Sequence, residues 1–179
     1  MGLIRLLGEF RVWYYERAAG LKARRRFFSR MAARQVGSHG NNLSAAGPVR
    51  LTKDTHLGNN VNFNGLEVAG IGEVRIGDNF HSGKGCILLS DVHNYEGESL
   101  PYDSKTKACP ITIGDNVWFG RNVMILGGVN IGNGAIIQAG SVVVSDIPDL
   151  GIAGGHPAKV FKTRDQSHYE RLIEEKKFH

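Results

Sequence analysis

Apolar residues return at every sixth position between residues 111 and 144 of this chain. Ile113, Phe119, Ile125, Ile131, Ile137 and Val143 occupy one phase, and a second series two residues earlier runs Ile111, Val117, Val123, Val129, Ala135 and Ser141. A helix face recurs near every 3.6 residues and a strand face every second residue, so neither accounts for the pattern. A period of six fits a parallel β-helix, in which each hexad supplies one short strand and a corner, and three hexads close a triangular coil. The sixth-position side chain then points inward and stacks on its counterpart one coil, about 18 positions, away. Glycine often follows that residue, as in Ile113-Gly114, Phe119-Gly120 and Ile131-Gly132. Gly, Asn and Asp suit the corners because some corners need positive φ, which gives a structural use to 24 glycines in 179 residues.

The rhythm extends towards the N-terminus with interruptions. Leu51, Leu57 and Phe63 are six apart, and Ile76, Ser82 and Leu88 continue on a shifted phase, which predicts an insertion near "LEVAGIGE". Residues 89–110, "LSDVHNYEGESLPYDSKTKACP", break the rhythm altogether. A long loop in an otherwise economical repeat points to function or disorder. After the last clean hexads comes "DIPDLGIAGGHPAKVFKTR", then a polar stretch predicted to be helical with Asp165 as its N-cap. Residues 1–35 read as helix: Leu3, Leu6, Leu7, Phe10, Trp13 and Tyr14 keep three-and-four spacing, Gly20 interrupts, and "LKARRRFFSRMAAR" resumes. The expected organisation is a basic amphipathic arm at 1–35, a β-helix at 36–150 carrying the loop 89–110, and a C-terminal segment and helix at 151–179.

Charge changes the picture of the arm alone. The whole chain carries +5, but residues 1–34 hold nine Lys/Arg against Glu9 and Glu16, giving +7 there and −2 for the rest. The arm reads as packing on the main domain or on another subunit, or as a peripheral contact with an anionic membrane; nucleic acid is not an expected partner. Leu6 stands where an N-myristoylation signal wants Ser or Thr. Neither a signal peptide nor an apolar run of transmembrane length is visible. Cys86 and Cys109 show no metal-type pairing and make no disulfide framework, so a cytoplasmic protein with free thiols, and no metal, is expected.

The hexads, the excursion at 89–110, "IGDNVWFGRNVMILGGVNIG" and "DIPDLGIAGGHPAK" together resemble the hexapeptide-repeat acyltransferases, closest to the maltose/galactoside and xenobiotic O-acetyltransferase branch, over roughly residues 45–164. The resemblance implies an all-β left-handed parallel β-helix that assembles as a homotrimer. It also implies active sites between subunits and acetyl-CoA lying along the groove as co-substrate. His93, in the irregular loop, matches the catalytic histidine. An imidazole is the side chain such chemistry calls for, as a base that takes a proton from an alcohol or amine attacking a thioester. Asn64, the second Asn of "VNFN", matches an acceptor-contacting asparagine. Trp118 matches an aromatic at the thioester end. Tyr95 and Glu96 flank His93 as acceptor-binding candidates, with Glu98 and Asp91 similar in kind. Arg121, Ala139, Val144 and Ser145 match the positions whose backbone lines the pantetheine, and Lys159, Lys162 and Arg164 are left to meet the CoA phosphates. The family often has Thr-Lys where this chain has Val144-Ser145, and a small residue where it has His156; no catalytic role is expected for His156. His39, His56, His81, His168 and His179 are expected to be structural.

Two rivals share the repeat. A γ-class carbonic anhydrase needs histidines converging on zinc, two of them five apart, and no histidine pair here has that spacing. A non-catalytic scaffold would not need the excursion or the basic ending. Serine acetyltransferases normally add a large helical domain that the short arm does not match. The loop "HNYEGESLPYDS" resembles acetyltransferases of surface-polysaccharide pathways. The expected reaction is therefore O-acetylation of a sugar in capsule, lipopolysaccharide or exopolysaccharide synthesis, with N-acetylation of a nucleotide-linked amino sugar as the alternative.

Overall fold

The computed structural model describes residues 2–179, with residues 2–7 as helical backbone only. The expected apolar positions Leu3, Leu6 and Leu7 therefore lie outside the described side chains. The hexads wind into a three-faced parallel β-solenoid. The first face stacks Ser38–His39, Thr55–Leu57, Val74–Ile76, Ile111–Ile113 and Asn130–Ile131. The second stacks Ser44–Ala45, Asn62–Phe63, His81–Ser82, Trp118–Phe119, Ile136–Ile137 and Gly151–Gly155, closed by the antiparallel Ala158–Thr163. The third stacks Val49–Arg50, Leu66–Ala69, Cys86–Leu89, Met124–Leu126 and Val142–Val143.

Both hexad series are buried along their whole length, from Ile111 and Ile113 to Ser141 and Val143. The pairings run 18 residues apart where the repeat is clean, as in Ile113 with Ile131 and Phe119 with Ile137. The insertion at Leu66–Glu73 lengthens one corner, so Leu57 meets Ile76 and Val68 meets Leu88. In that coil the two series exchange sizes: Ser82 is small, and Phe80, two residues earlier, is large. Phe80 packs edge-to-face between Phe63 at 6.0 Å and Phe119 at 5.0 Å, filling the room beside Ser82.

The edge between the first and second faces shows why Asn was so common at corners. Asn42, Asn60, Asn79 and Asn116 all hold positive φ, which Asn tolerates better than most residues. Their side chains form a ladder: Asn42 Nδ2 donates to Asn60 Oδ1 at 2.8 Å, Asn60 to Asn79 at 2.9 Å, and Asn79 to Asn116 at 2.9 Å. The ladder stops at Gly134, where the next residue has φ +66° and no side chain. Tyr169 fills that place. Its hydroxyl accepts from Asn116 Nδ2 at 2.9 Å, and a Cβ on Gly134 would sit 2.7 Å from the Tyr169 ring. The break in the ladder is thus the seat of helix α3 (Gln166–Glu174), whose N-cap Asp165 accepts from the His168 N–H at 2.6 Å as expected.

The other end of the solenoid is closed by the arm. Helices α1 (Gly2–Arg17) and α2 (Leu21–Gln35) meet at Gly20. Helix α2 drives Phe28 and Ala32, both fully buried, against the first coil. An end coil presents strand N–H groups with no further coil to receive them. Ser29 Oγ accepts from the Ala45 N–H at 2.9 Å and Gln35 Oε1 from the Leu51 N–H at 2.8 Å. Of the two packing partners open to the arm, the main domain receives α2.

Candidate functional site

The excursion is an antiparallel hairpin rather than an open loop. Asp91–His93 pairs with Thr106–Ala108, setting His93 opposite Thr106. Its tip is tied across: Asn94 Nδ2 donates to Asp103 Oδ2 at 2.8 Å, and the Lys105 N–H to Asp103 Oδ1 at 2.8 Å. His93 is exposed, and its ring lies flat on Tyr102 with centroids 4.0 Å apart and planes 7° from parallel. Among the described residues no carboxylate bonds to that ring. Glu96 and Glu98 are exposed, and Tyr95 is 66% exposed. What holds the imidazole is therefore stacking. Tyr102 lies nine positions after His93 with no local signal linking the two, and only the hairpin's return brings them together.

The remaining candidates divide between two edges of the prism. The hairpin leaves between the third face (Cys86–Leu89) and the first (Ile111–Ile113), and Val144 and Ser145 follow Val142–Val143 at that same edge, both exposed. Asn64, Arg121 and Ala139 lie at the edge between the second and third faces, where the Gly140 N–H donates to Arg121 O at 2.8 Å. Coils approach so closely there that a Cβ on Gly120 would stand 2.5 Å from Ala139 N. Trp118, 52% exposed, points outward from the second face. One chain by itself thus separates His93 from Asn64, Trp118 and Arg121.

The basic ending is likewise split. Lys159 and Lys162 are exposed on the terminal hairpin. Arg164 is engaged within the chain: its guanidinium lies 5.2 Å over the Tyr169 ring and donates to Gly134 O at 3.3 Å. Of the three cations, Arg164 alone helps to anchor α3.

His81, expected to be structural only, is a neighbour of the Asn64 site. It stands in the outward column of the second face between Asn62 and Trp118. Asn64 Nδ2 donates to Ser82 O at 3.1 Å and lies 3.2 Å from His81 Nε2. Both contacts fix the Asn64 amide so that its oxygen is left to receive a donor, provided that Nε2 carries no proton. Burial holds the His81 pKa below its ordinary 6.5, with His179 and Arg25 adding to the effect. The signal in the sequence was spacing: His81 follows Asn64 by 17 residues, about one coil.

This has a consequence for stability against pH. Above 6.5 the imidazole is neutral in both folded and unfolded chains. As pH falls through 6.5 the unfolded chain takes up the proton first, so stability declines until the folded imidazole also protonates. Thermal unfolding followed from pH 8 to pH 5 (about the ordinary histidine range) is expected to show a shallower fall in midpoint for His81→Gln than for the parent. Superimposable curves for the two proteins would remove the linkage.

Residues 110–145 match the bacterial transferase hexapeptide (six repeats) family. The galactoside O-acetyltransferase of Escherichia coli strain K12 is 39% identical over 119 residues, covering 64% of this chain and 58% of that one. A solved galactoside acetyltransferase in complex with coenzyme A matches with a TM-score of 0.66 at 27% identity, over 92% of this chain and 82% of its own. A hexapeptide-repeat acetyltransferase from Vibrio cholerae shares the fold, with a TM-score of 0.67 at 24% identity over 86% of each chain. This chain spans a little over half the length of the first curated relatives it matches, 55% and 58%. The chain therefore carries the hexapeptide repeat of bacterial transferases, and its solenoid fits their left-handed β-helix.

Proposed function

We propose that this hexapeptide-repeat chain is an acetyl-CoA-dependent O-acetyltransferase acting on a sugar hydroxyl, in the synthesis of a capsule, lipopolysaccharide or exopolysaccharide. The observation that carries the reading is His93: an exposed imidazole, steadied by Tyr102 on a braced hairpin that interrupts an acetyltransferase-like solenoid. The neutral imidazole takes the proton of the acceptor hydroxyl as that oxygen attacks the thioester carbonyl. The new C–O bond forms, the C–S bond breaks, and the imidazolium returns its proton to the departing thiolate. Asn64, Tyr95 and Glu96 are the acceptor-binding residues of this reading. Trp118, Arg121, Ala139, Val144 and Ser145 line the CoA, with Lys159, Lys162 and Arg164 towards its phosphates.

Transfer is direct, without an acyl-enzyme. Cys86 is buried, burial pushes its thiol pKa up, and its Sγ is turned to Gly120 O at 3.2 Å; a thiol held protonated is a poor nucleophile. The working unit of this reading is a cytoplasmic homotrimer. The separation of His93 from Asn64, Trp118 and Arg121 on different edges supports it, since a neighbouring copy would supply the missing half of each site. Any peripheral membrane contact falls to the basic arm, in keeping with a lipid-linked acceptor.

Thiol release from acetyl-CoA, followed against sugars, nucleotide-linked amino sugars and lipid-linked glycans, tests the activity. Turnover with a sugar hydroxyl acceptor is expected. Turnover confined to amino sugars would replace O- with N-acetylation. Neither turnover nor CoA binding with any acceptor would leave a scaffold.

A further inference from the structure

Lys22, Arg26, Arg30 and Arg34 recur at every fourth residue of α2, which sets them along one stripe of the helix. The opposite side of α2 is spent on the solenoid through Phe28, Ala32, Ser29 and Gln35, so the stripe faces away from it. Helix α1 brings Arg11 up beside the stripe. Between the two helices lies a groove of about 670 Å³ lined by these five cations together with Tyr15, Ala23, Phe27 and Met31, and by no carboxylate. Its apolar floor is fixed: Tyr15 stacks on Phe27 at 4.2 Å, and the Arg11 guanidinium lies 5.8 Å over the same ring. Among the described residues none of the five cations forms an ion pair with a carboxylate. Glu16, on the other side of α1, is drawn instead to Lys84 on the solenoid at 3.8 Å. Like charges four apart on a helix repel, so this row is at odds with itself until anions meet it.

A second feature belongs to the same helices. Phe10, Trp13 and Tyr14 are 60%, 49% and 44% exposed on α1, with Phe10 stacked on Trp13 at 5.8 Å, and Leu21 at the start of α2 is 64% exposed. Large apolar side chains left in water beside a cation row are the composition of an element lying in a membrane interface, where rings sit at headgroup level and cations meet phosphates. No helix among the described residues is long and apolar enough to cross a membrane, so the contact is with the surface.

We propose that the α1–α2 pair is a docking surface for an anionic phospholipid bilayer, with Arg11, Lys22, Arg26, Arg30 and Arg34 meeting lipid phosphates while Phe10, Trp13 and Tyr14 enter the headgroup layer. This deepens the reading of a membrane-held acceptor and rests on it for its purpose, but it is tested by binding rather than turnover. The full chain is sedimented with vesicles of phosphatidylcholine alone and with vesicles rich in phosphatidylglycerol. Binding to the second only, lost at high salt, is expected, with a blue shift of Trp13 emission that is absent in Trp13→Phe. The double variant Arg26→Gln with Arg30→Gln is expected to bind roughly 25-fold more weakly, about fivefold for each cation removed. Its melting midpoint and its thiol release with a soluble acceptor should stay those of the parent, so failure of docking and failure of the transferase reading give separate results. Equal binding to both vesicles, or binding to neither, overturns the proposal. So does binding to an RNA oligonucleotide or to inorganic pyrophosphate as tight as to the anionic vesicles, with no Trp13 shift; the groove then serves soluble phosphates.

Discussion

His93→Ala is expected to lower kcat by about 10²–10⁴-fold, the usual contribution of a positioned general base, with CoA affinity and melting midpoint left near those of the parent. The reason for the split lies in how the side chain is held. His93 is exposed at the end of a hairpin strand, and its stacking partner is Tyr102. Removing it opens no cavity and orphans no buried group, so the fold loses little. The residues proposed to hold CoA are on the solenoid and its terminal hairpin, not on the excursion. Steady-state rates at saturating acetyl-CoA, a calorimetric CoA titration and a melting curve separate the three quantities. A rate within a few-fold of the parent would show that another group takes the proton. A large fall in CoA affinity alone would make His93 a binding residue.

Phe119→Ala is expected to cost about 3–5 kcal/mol of stability, which in a chain of this size lowers the melting midpoint by roughly 6–20 °C. Phe119 is fully buried and meets Phe80 edge-to-face at 5.0 Å and 88°. In the ladder it lies between Ser82 and Ile137. Ser82 is too short to move into the space, and Phe80 is already braced against Phe63, so the vacated volume stays open. Stacked coils share one core along their axis, and each coil depends on its neighbours. Trp118 precedes Phe119, so the second face loses its order with the core. Chemical denaturation checks the magnitude. A midpoint change no larger than that of an Ile137→Val control, about 0.5–1.5 kcal/mol, would mean that the aromatic stack is not the rigid feature described.

Inward positions were legible in the linear chain because the repeat imposes them one residue at a time. Each coil rises by one strand spacing, so a side chain at the same hexad phase meets the same surroundings whatever lies far away. Ile113, Ile125 and Val143 were therefore readable without a structure, and so was the phase shift at Leu66–Glu73, since an inserted residue moves every later position. Even Ser82, polar at an inward place, could be assigned by phase alone; its compensation by Phe80 could not, because that depends on volumes in adjoining coils. The Asp165 cap and the break at Gly20 are local signals and were read locally. His93 stood out for the opposite reason, as a histidine placed where the repeat fails.

What only the tertiary structure decided is which residues share an edge. Successive hexads go to different faces, so neighbours in sequence part company while residues one coil apart come together. That puts His81 beside Asn64 and the Trp118 column, sets Asn64 and Arg121 on one edge and His93 with Ser145 on another, and turns Arg164 back onto Tyr169. It also folds the excursion into a hairpin that lays Tyr102 on His93, and turns the cation stripe of α2 outward by spending Phe28 and Ala32 on the first coil. A periodic sequence specifies the inside of a solenoid position by position. The outside is assembled from coils that the chain visits at different times, and its chemistry is settled by stacking.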